Sequence, residues 1–288
     1  MIAWLRARSL GGRVIMRIED LNHPRDKPGA AAQALEDLKW LGFDWDEMFT
    51  QSERKDLYRE ALEKLRSLDL VYPCICSRRD VEAAQSAPHD AEQLFYPGTC
   101  RGRFKDWGAA CDALGGEGRT PCWRFRADAP CNVAFDDVFA GHREYDVASS
   151  LGDFPLARDE GGAGYTLAVV VDDAAMGVTE IVRGDDLLAA TPAQILVRRA
   201  LGYEDVEHCH VPLVVGSDGR RLAKRHGDTR VRTYREAGVG SGELIGLIAS
   251  SCGWAEKGES VALADLLPRF DLGTLPREAW RIANANMV

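Results

Sequence analysis

From Phe154 to Leu213 the chain alternates short apolar runs with stretches of helical period, and this alternation constrains the fold more than any other feature. A hairpin is expected around the turn Gly161-Gly162-Ala163-Gly164, a helix from Tyr165 and a strand over Thr179 to Val182. A helix from Thr191 to Leu201, with Pro192 in its first turn, precedes a strand from His208 to Leu213. Strands linked through helices need crossover connections, so the pattern predicts an α/β fold built on a parallel sheet.

The amino-terminal part reads the same way. Residues 1–9 resemble the end of a helix stopped by Gly11-Gly12, and Val14, Ile15, Met16 and Ile18 form a short apolar strand. Arg17, Glu19 and Asp20 sit at the carboxyl end of that strand, where ligands of open α/β sheets bind. A charged surface turn is the plainer alternative. Pro28-Gly29 opens a helix with Ala30, Ala34, Leu35, Leu38 and Leu41 at helical spacing, closed by Gly42, and a second helix follows over Lys55 to Leu68.

Between Val71 and about Tyr145 the character changes to Cys, Pro and Gly with short strands such as Cys122 to Arg126, consistent with an inserted subdomain. Cys74 and Cys76 flank Ile75, and Cys100 follows a loop. Zinc takes four N, S or O donors at tetrahedral corners, and a Cys-x-Cys turn can present two thiolates to one ion. A small subdomain with little core favours such a staple over three buried thiols. Spacing leaves the fourth ligand open among Tyr96, His89 and Cys111. Cys122, Cys131, Cys209 and Cys252 lack partners by spacing and are expected in the core.

Two further segments carry charge in informative places. The Gly216-Ser217-Asp218-Gly219 turn leads into Arg220-Arg221-Leu222-Ala223-Lys224-Arg225-His226, a hairpin tip that lifts cations into solvent. Such a loop suits a phosphate that gains charge under attack, although many basic loop tips are only solvated. Arg183 ends a strand and Tyr165 opens a helix, so both face the sheet crevice. An Arg there suits a carboxylate and Glu19 an ammonium group, together a site for an amino acid; a surface Arg183–Asp185 pair is the alternative.

With 288 residues, 45% hydrophobic and 28% charged, the chain can bury a full core. A formal charge of −9 argues against a broad electrostatic grip on nucleic acid but leaves room for a local basic face. The apolar start Met1 to Leu5 meets Arg6 and Arg8 too soon for a secretory signal, and no uncharged run is long enough to span a bilayer. A cytoplasmic monomer without a membrane partner is expected.

The segments MRIEDLNHPR, LKWLGFDWDE, YTLAVVVDDAAMGVTEIVRGDDLLAATPAQILVRRALGY and RRLAKRHGD resemble, in order and spacing, the class I glutamyl-tRNA synthetase family. The similarity covers most of residues 12–230 and is nearest to a short paralogue without an anticodon-binding domain. It implies a Rossmann-like parallel sheet with an inserted zinc-containing subdomain and a helical C-terminal part. In that division residues 1–70 and 146–230 form the two halves of the catalytic domain, 71–145 the zinc-binding insertion and 231–288 the helical segment.

The resemblance further implies that Glu19, Tyr165 and Arg183 contact glutamate and that Lys224, in the KMSKS-type loop, contacts ATP and steadies its phosphates. By the same likeness Cys74, Cys76, Tyr96 and Cys100 hold one Zn²⁺ per chain. The implied reaction activates glutamate with ATP and Mg²⁺ without needing tRNA, then passes it to the queuosine base in the anticodon of tRNA(Asp). The alternatives are a non-catalytic module that binds tRNA or glutamate, and a fragment of a full glutamyl-tRNA synthetase. Two departures stand out: Ala223 replaces the usual Ser of the loop, and the family's first strand with its His-x-Gly-x ATP motif is expected ahead of residue 1 but is not in the sequence.

Overall fold

A computed structural model describes residues 1–21, 28–84, 95–116, 118–128, 130–159, 161–222 and 230–282. Helix α1 (Ile2–Ser9) leads into β1 (Ile15–Ile18), and α2 (Ala30–Trp40) returns the chain to β2 (Glu47–Thr50), which lies parallel to β1. Helix α3 (Lys55–Ser67) buries Tyr58, Ala61, Leu62 and Leu65, the face that its helical spacing marks out. A three-stranded antiparallel sheet follows, made of β3 (Val71–Cys74), β4 (Cys122–Phe125) and β7 (Phe154–Ala157). The short helices α4 (Arg78–Ala84) and α5 (Trp107–Ala113) fall between its first two strands.

The sheet that positions the candidate site contains β5 (Asn132–Asp137), β6 (Gly141–Asp146), β8 (Glu180–Gly184) and β9 (Glu207–Val211) in the order β6-β5-β9-β8. Helix α6 (Val147–Ser150) precedes β7, α7 (Tyr165–Ala175) runs into β8, and α8 (Thr191–Ala200) crosses from β8 to β9. β5, β9 and β8 are parallel, but β6 is antiparallel to β5. The expected all-parallel sheet is therefore corrected to mixed α/β sheets. The cause is local: Gly141, with φ of 80°, reverses the chain four residues after Asp137 and adds an antiparallel edge by a hairpin. Among the described residues, β1 and β2 form a sheet separate from this one.

The two larger of three apolar cores flank the strands. One joins α3, α7 and α8 with β4 and β7, and the other joins α1, β9 and α10 (Ser241–Ser251) with Leu263 and Leu266. The period of two along β9 assigns its side chains: Cys209 and Val211 enter the second core, leaving His208 and His210 on the opposite face. After the short strand β10 (Val214–Val215), the chain turns at Gly219 and bridges back at Arg221, as the Asp-Gly turn predicts. The carboxyl-terminal part is helical through α9 (Val231–Glu236), α10 and a 3-10 turn at Leu263–Arg269, then adds β11 (Trp280–Arg281) alongside β10. No helix among the described residues is long and apolar enough to cross a membrane.

Candidate active site

The crevice at the carboxyl ends of β1 and β8 collects three of the residues expected there. Glu19 follows β1 and is approached by Arg17, whose Nε and Nη2 donate to Glu19 Oε1 at 3.2 and 3.1 Å. The same guanidinium donates from Nη1 to Asp173 Oδ1 of α7 at 2.5 Å. Tyr165 opens α7 with 44% of its surface exposed, an outward position for so large a ring. Gly164 makes that start possible: its amide donates to the Leu156 carbonyl at 2.6 Å, and a Cβ on it would lie 2.8 Å from the same oxygen.

Arg183 is the third. It hydrogen-bonds with Tyr165, donates from Nε to His210 Nε2 at 3.0 Å and from Nη2 to Thr191 Oγ1 at 2.8 Å. It does not pair with Asp185, and none of these hydrogen-bond partners is a carboxylate; among the described residues Asp173 and Asp137 act on the guanidinium through their charge only. Burial weakens its hold on the proton relative to an ordinary arginine. The Tyr165 phenol is held above its ordinary value by burial; Arg183 and Arg17 oppose that shift and Glu19 and Asp173 add to it, which places all five in one electrostatic neighbourhood. A cationic Arg183 facing an anionic Glu19, with a phenol between them, can receive a zwitterion. Lys224 lies outside the described residues, as do Ala223, Arg225 and His226 of its loop.

Sequence reasoning missed the residues behind Arg183. His210 Nδ1 lies 2.6 Å from Asp137 Oδ2, with both side chains sealed from solvent. No local pattern marks them: β5 reads NVAFDD and β9 EHCHV, and only the sheet order brings the two side chains together.

The cysteine cluster forms at the end of β3. The Sγ atoms of Cys74, Cys76 and Cys100 lie within 4.8 Å of one another, and those of Cys76 and Cys100 are 3.5 Å apart. The Tyr96 hydroxyl sits 3.3 Å from Cys74 Sγ and 3.6 Å from Cys76 Sγ, and accepts from the Cys100 amide at 2.8 Å. Four donors around a zinc with bonds near 2.3 Å stand roughly 3.8 Å apart, so the set fits a tetrahedral site without rearranging the backbone. His89 lies outside the described residues, and Cys111 is exposed and not part of the cluster. Gly152 seats the tyrosine: a Cβ there would lie 2.5 Å from the Tyr96 carbonyl. Arg124 stacks its guanidinium 3.7 Å from the Tyr96 ring centroid.

Cys122, expected in the core, is partly buried against the small core of Tyr72, Cys74, Val81, Tyr96 and Cys100, and stands opposite Cys74 in the β3–β4 register. Hydrogen bonds from Cys100 and Cys122 pull the Cys74 thiol down, and those same contacts push Cys100 and Cys122 up, so the three thiols titrate as one set. Cys209 and Cys252 are buried in the core as expected.

Compared with known proteins, the chain matches the family model for the catalytic domain of class I tRNA synthetases (E and Q) over residues 1–282. It is 45% identical over 293 aligned residues to a protein of Symbiobacterium thermophilum named glutamyl-Q tRNA(Asp) synthetase, covering 98% of this chain and 89% of that one. A glutamate–tRNA ligase of Aquifex aeolicus is 36% identical, covering 94% of this chain and 57% of that protein. The crystal structure of the glutamate-tRNA synthetase from Elizabethkingia anophelis superposes with a TM-score of 0.78 at 25% identity, covering 97% of this chain and 63% of that one. The chain thus spans less than two thirds of the length of these longer ligases.

Proposed function

The chain belongs to the class I tRNA synthetases of the E and Q type, a family of ligases, and from that membership we propose that it activates glutamate with ATP and transfers it to the queuosine base in the anticodon of tRNA(Asp). The observation that carries the glutamate part is Arg183: a half-buried guanidinium held by neutral groups, beside Tyr165 and across from Glu19. The queuosine part takes its support from the names of relatives such as the Symbiobacterium protein.

In this reading one carboxylate of glutamate is received by Arg183 and Tyr165, and its ammonium group by Glu19. An oxygen of the reacting carboxylate attacks the α-phosphorus of ATP, the α–β P–O bond breaks and pyrophosphate leaves. A hydroxyl of queuosine then attacks the glutamyl carbonyl, an ester forms, AMP leaves and the hydroxyl proton passes to solvent. Lys224 steadies the ATP phosphates, with Mg²⁺ entering on the nucleotide. Catalysis rests on positioning and cationic stabilisation, with no covalent enzyme intermediate. Zinc bound by Cys74, Cys76, Tyr96 and Cys100 supplies a structural clamp that holds the segment after β3 to the start of the loop before α5.

Glutamate-dependent ATP–pyrophosphate exchange without tRNA tests the first step, and transfer of labelled glutamate to tRNA(Asp) with and without queuosine tests the second. Exchange without tRNA and labelling confined to the queuosine form are expected. Absence of exchange would leave a binding module, and exchange only in the presence of tRNA would favour a glutamate–tRNA ligase.

A further inference from the structure

Three adjacent parallel strands bring Asp137, His210 and Arg183 into one row at the carboxyl edge of the sheet. The order β5-β9-β8 and the register Arg183↔His210 make this unavoidable, since Asp137 pairs with His208 two residues earlier on the middle strand. Asp137 is 4% exposed and His210 1%. His210 Nε2 accepts from Arg183 Nε, so it carries no proton; the ring proton is on Nδ1 and is donated to Asp137 Oδ2. Asp137 has every reason to stay anionic. Its Oδ1 accepts the amides of Phe139 at 3.0 Å and Ala140 at 2.7 Å, and the His210 amide approaches both oxygens. Burial opposes its charge, yet these hydrogen bonds hold it below the ordinary carboxylate value.

We infer that Asp137 and His210 are positioning residues for Arg183: the carboxylate fixes the tautomer of a neutral imidazole, and the imidazole in turn fixes the plane of the guanidinium that faces the crevice. This rests on reading Arg183 as the holder of a substrate carboxylate. Thr191, fully buried, takes a second nitrogen of the same guanidinium, and its hydroxyl also lies 3.1 Å from His210 Nε2, so the three side chains close one buried set of contacts. The anionic end of the row is separated from Arg183 by His210 and lies two residues further back in register, so it supports the cation without direct contact. A carboxylate touching Arg183 would compete with the ligand; one acting through an imidazole orients the donor and leaves it available.

Replacing Asp137 by Asn gives a sharp test. The turn amides occupy the side-chain oxygen, so the new amide nitrogen faces His210 Nδ1 and forces the proton onto Nε2, where it turns to Thr191 Oγ1 at 3.1 Å and no longer accepts the Arg183 Nε–H. Histidine nitrogen NMR of wild type is expected to report an Nδ1–H tautomer for His210, and Asp137→Asn an Nε2–H tautomer. Glutamate affinity by calorimetry, and KM for glutamate in exchange, are expected to weaken at least tenfold with kcat changed less. His210→Gln keeps an acceptor for Arg183 and has no tautomer to invert, so it should retain more affinity than His210→Ala and should partly rescue the Asp137→Asn protein. Arg183→Met, measured in parallel, tests the underlying reading: glutamate affinity unchanged in that variant removes the carboxylate-holding role itself. If Arg183→Met loses glutamate while Asp137→Asn and His210→Ala bind it within twofold of wild type, or if wild type carries the proton on Nε2, the positioning role is overturned. Should Asp137→Asn fail to fold, the contrast between His210→Gln and His210→Ala together with the wild-type tautomer still decides.

Discussion

Arg17 and Asp173 meet at 2.5 Å between β1 and α7, with the arginine side chain 20% exposed and the aspartate 10%. This ion pair ties two segments of the chain whose ends form opposite walls of the crevice, and Arg17 spends its remaining nitrogens on Glu19. Removing one partner of a largely buried pair leaves the other charge stranded. Arg17→Met is expected to destabilise the protein by about 3 kcal/mol in urea unfolding and to raise the KM for glutamate, because Glu19 loses its only assigned contact among the described residues. Asp173→Asn combined with Arg17→Met should recover at least about 1 kcal/mol relative to additivity. Strict additivity of the two changes would show that the pair is not coupled.

Gly164 sets where α7 begins. Its backbone is extended, at φ −77° and ψ 167°, so alanine meets no conformational objection there. The objection is space, since the added Cβ would sit 2.8 Å from a backbone oxygen that cannot swing away. Gly164→Ala is expected to cost about 2 kcal/mol of stability and to displace Tyr165, weakening glutamate binding more than ATP binding. Equal loss for the two ligands would place the effect on the whole fold and not on the helix start.

Much of this arrangement was legible in the sequence, for reasons that differ by residue. Glu19, Tyr165 and Arg183 could be read because each occupies a strand end or helix start, positions where a polar side chain has little structural excuse. Helices α3 and α8 could be read from spacing alone. Asp137 and His210 could not, because 73 residues separate them and only the sheet order β5-β9-β8 makes them neighbours. The neighbour of Cys122 was missed for the same reason: Cys74 is set opposite it by the β3–β4 register, which no local pattern encodes. Asp172 and Asp173 did leave a trace, two acids in an otherwise apolar helix. The first is fully buried and takes hydrogen bonds from Gln51 at 3.0 Å, Arg54 at 2.7 Å and Tyr58 at 2.8 Å. An acid in such a helix demands donors from elsewhere, and here the turn before α3 and α3 itself supply them.

His208 makes stability depend on pH. Burial, with Arg183 on β8, His210 on β9 and Arg198 on α8, pushes its pKa down to about 4, against a raising influence from Asp137 on β5. The unfolded imidazole takes a proton near pH 6.5, so between pH 6.5 and 4 the unfolded chain binds more protons than the folded one. Stability is therefore full above pH 6.5 and falls as pH drops toward 4, by on the order of 3 kcal/mol from this residue. His210, also lowered chiefly by burial, acts in the same direction. His208→Phe keeps a ring against Phe135, whose centroid lies 5.4 Å away, and removes the titration. Urea unfolding at pH 7.5 and 5.0, with equal metal loading, should show a smaller difference for the variant than for wild type. Identical differences would show that His208 does not titrate in this window.

The cysteine cluster predicts a metal stoichiometry and a ranking of variants. One zinc per chain is expected after purification, and its removal by a chelator should lower the melting temperature, because ligands held in a folded geometry couple binding to folding. Cys74→Ser removes one of the three sulfurs that lie within 4.8 Å of one another and should abolish stoichiometric binding. Tyr96→Phe removes a hydroxyl that is 3.3 Å from Cys74 Sγ and 3.6 Å from Cys76 Sγ and should weaken affinity at least tenfold in chelator competition. Cys122→Ser should retain one zinc, because Cys122 neighbours Cys74 without joining the three sulfurs that lie within 4.8 Å of one another. Full zinc in the tyrosine variant at wild-type affinity, with loss in the Cys122 variant, would move the fourth corner from Tyr96 to Cys122. No metal in wild type, together with rapid alkylation of Cys74 in the folded protein, would remove the site altogether.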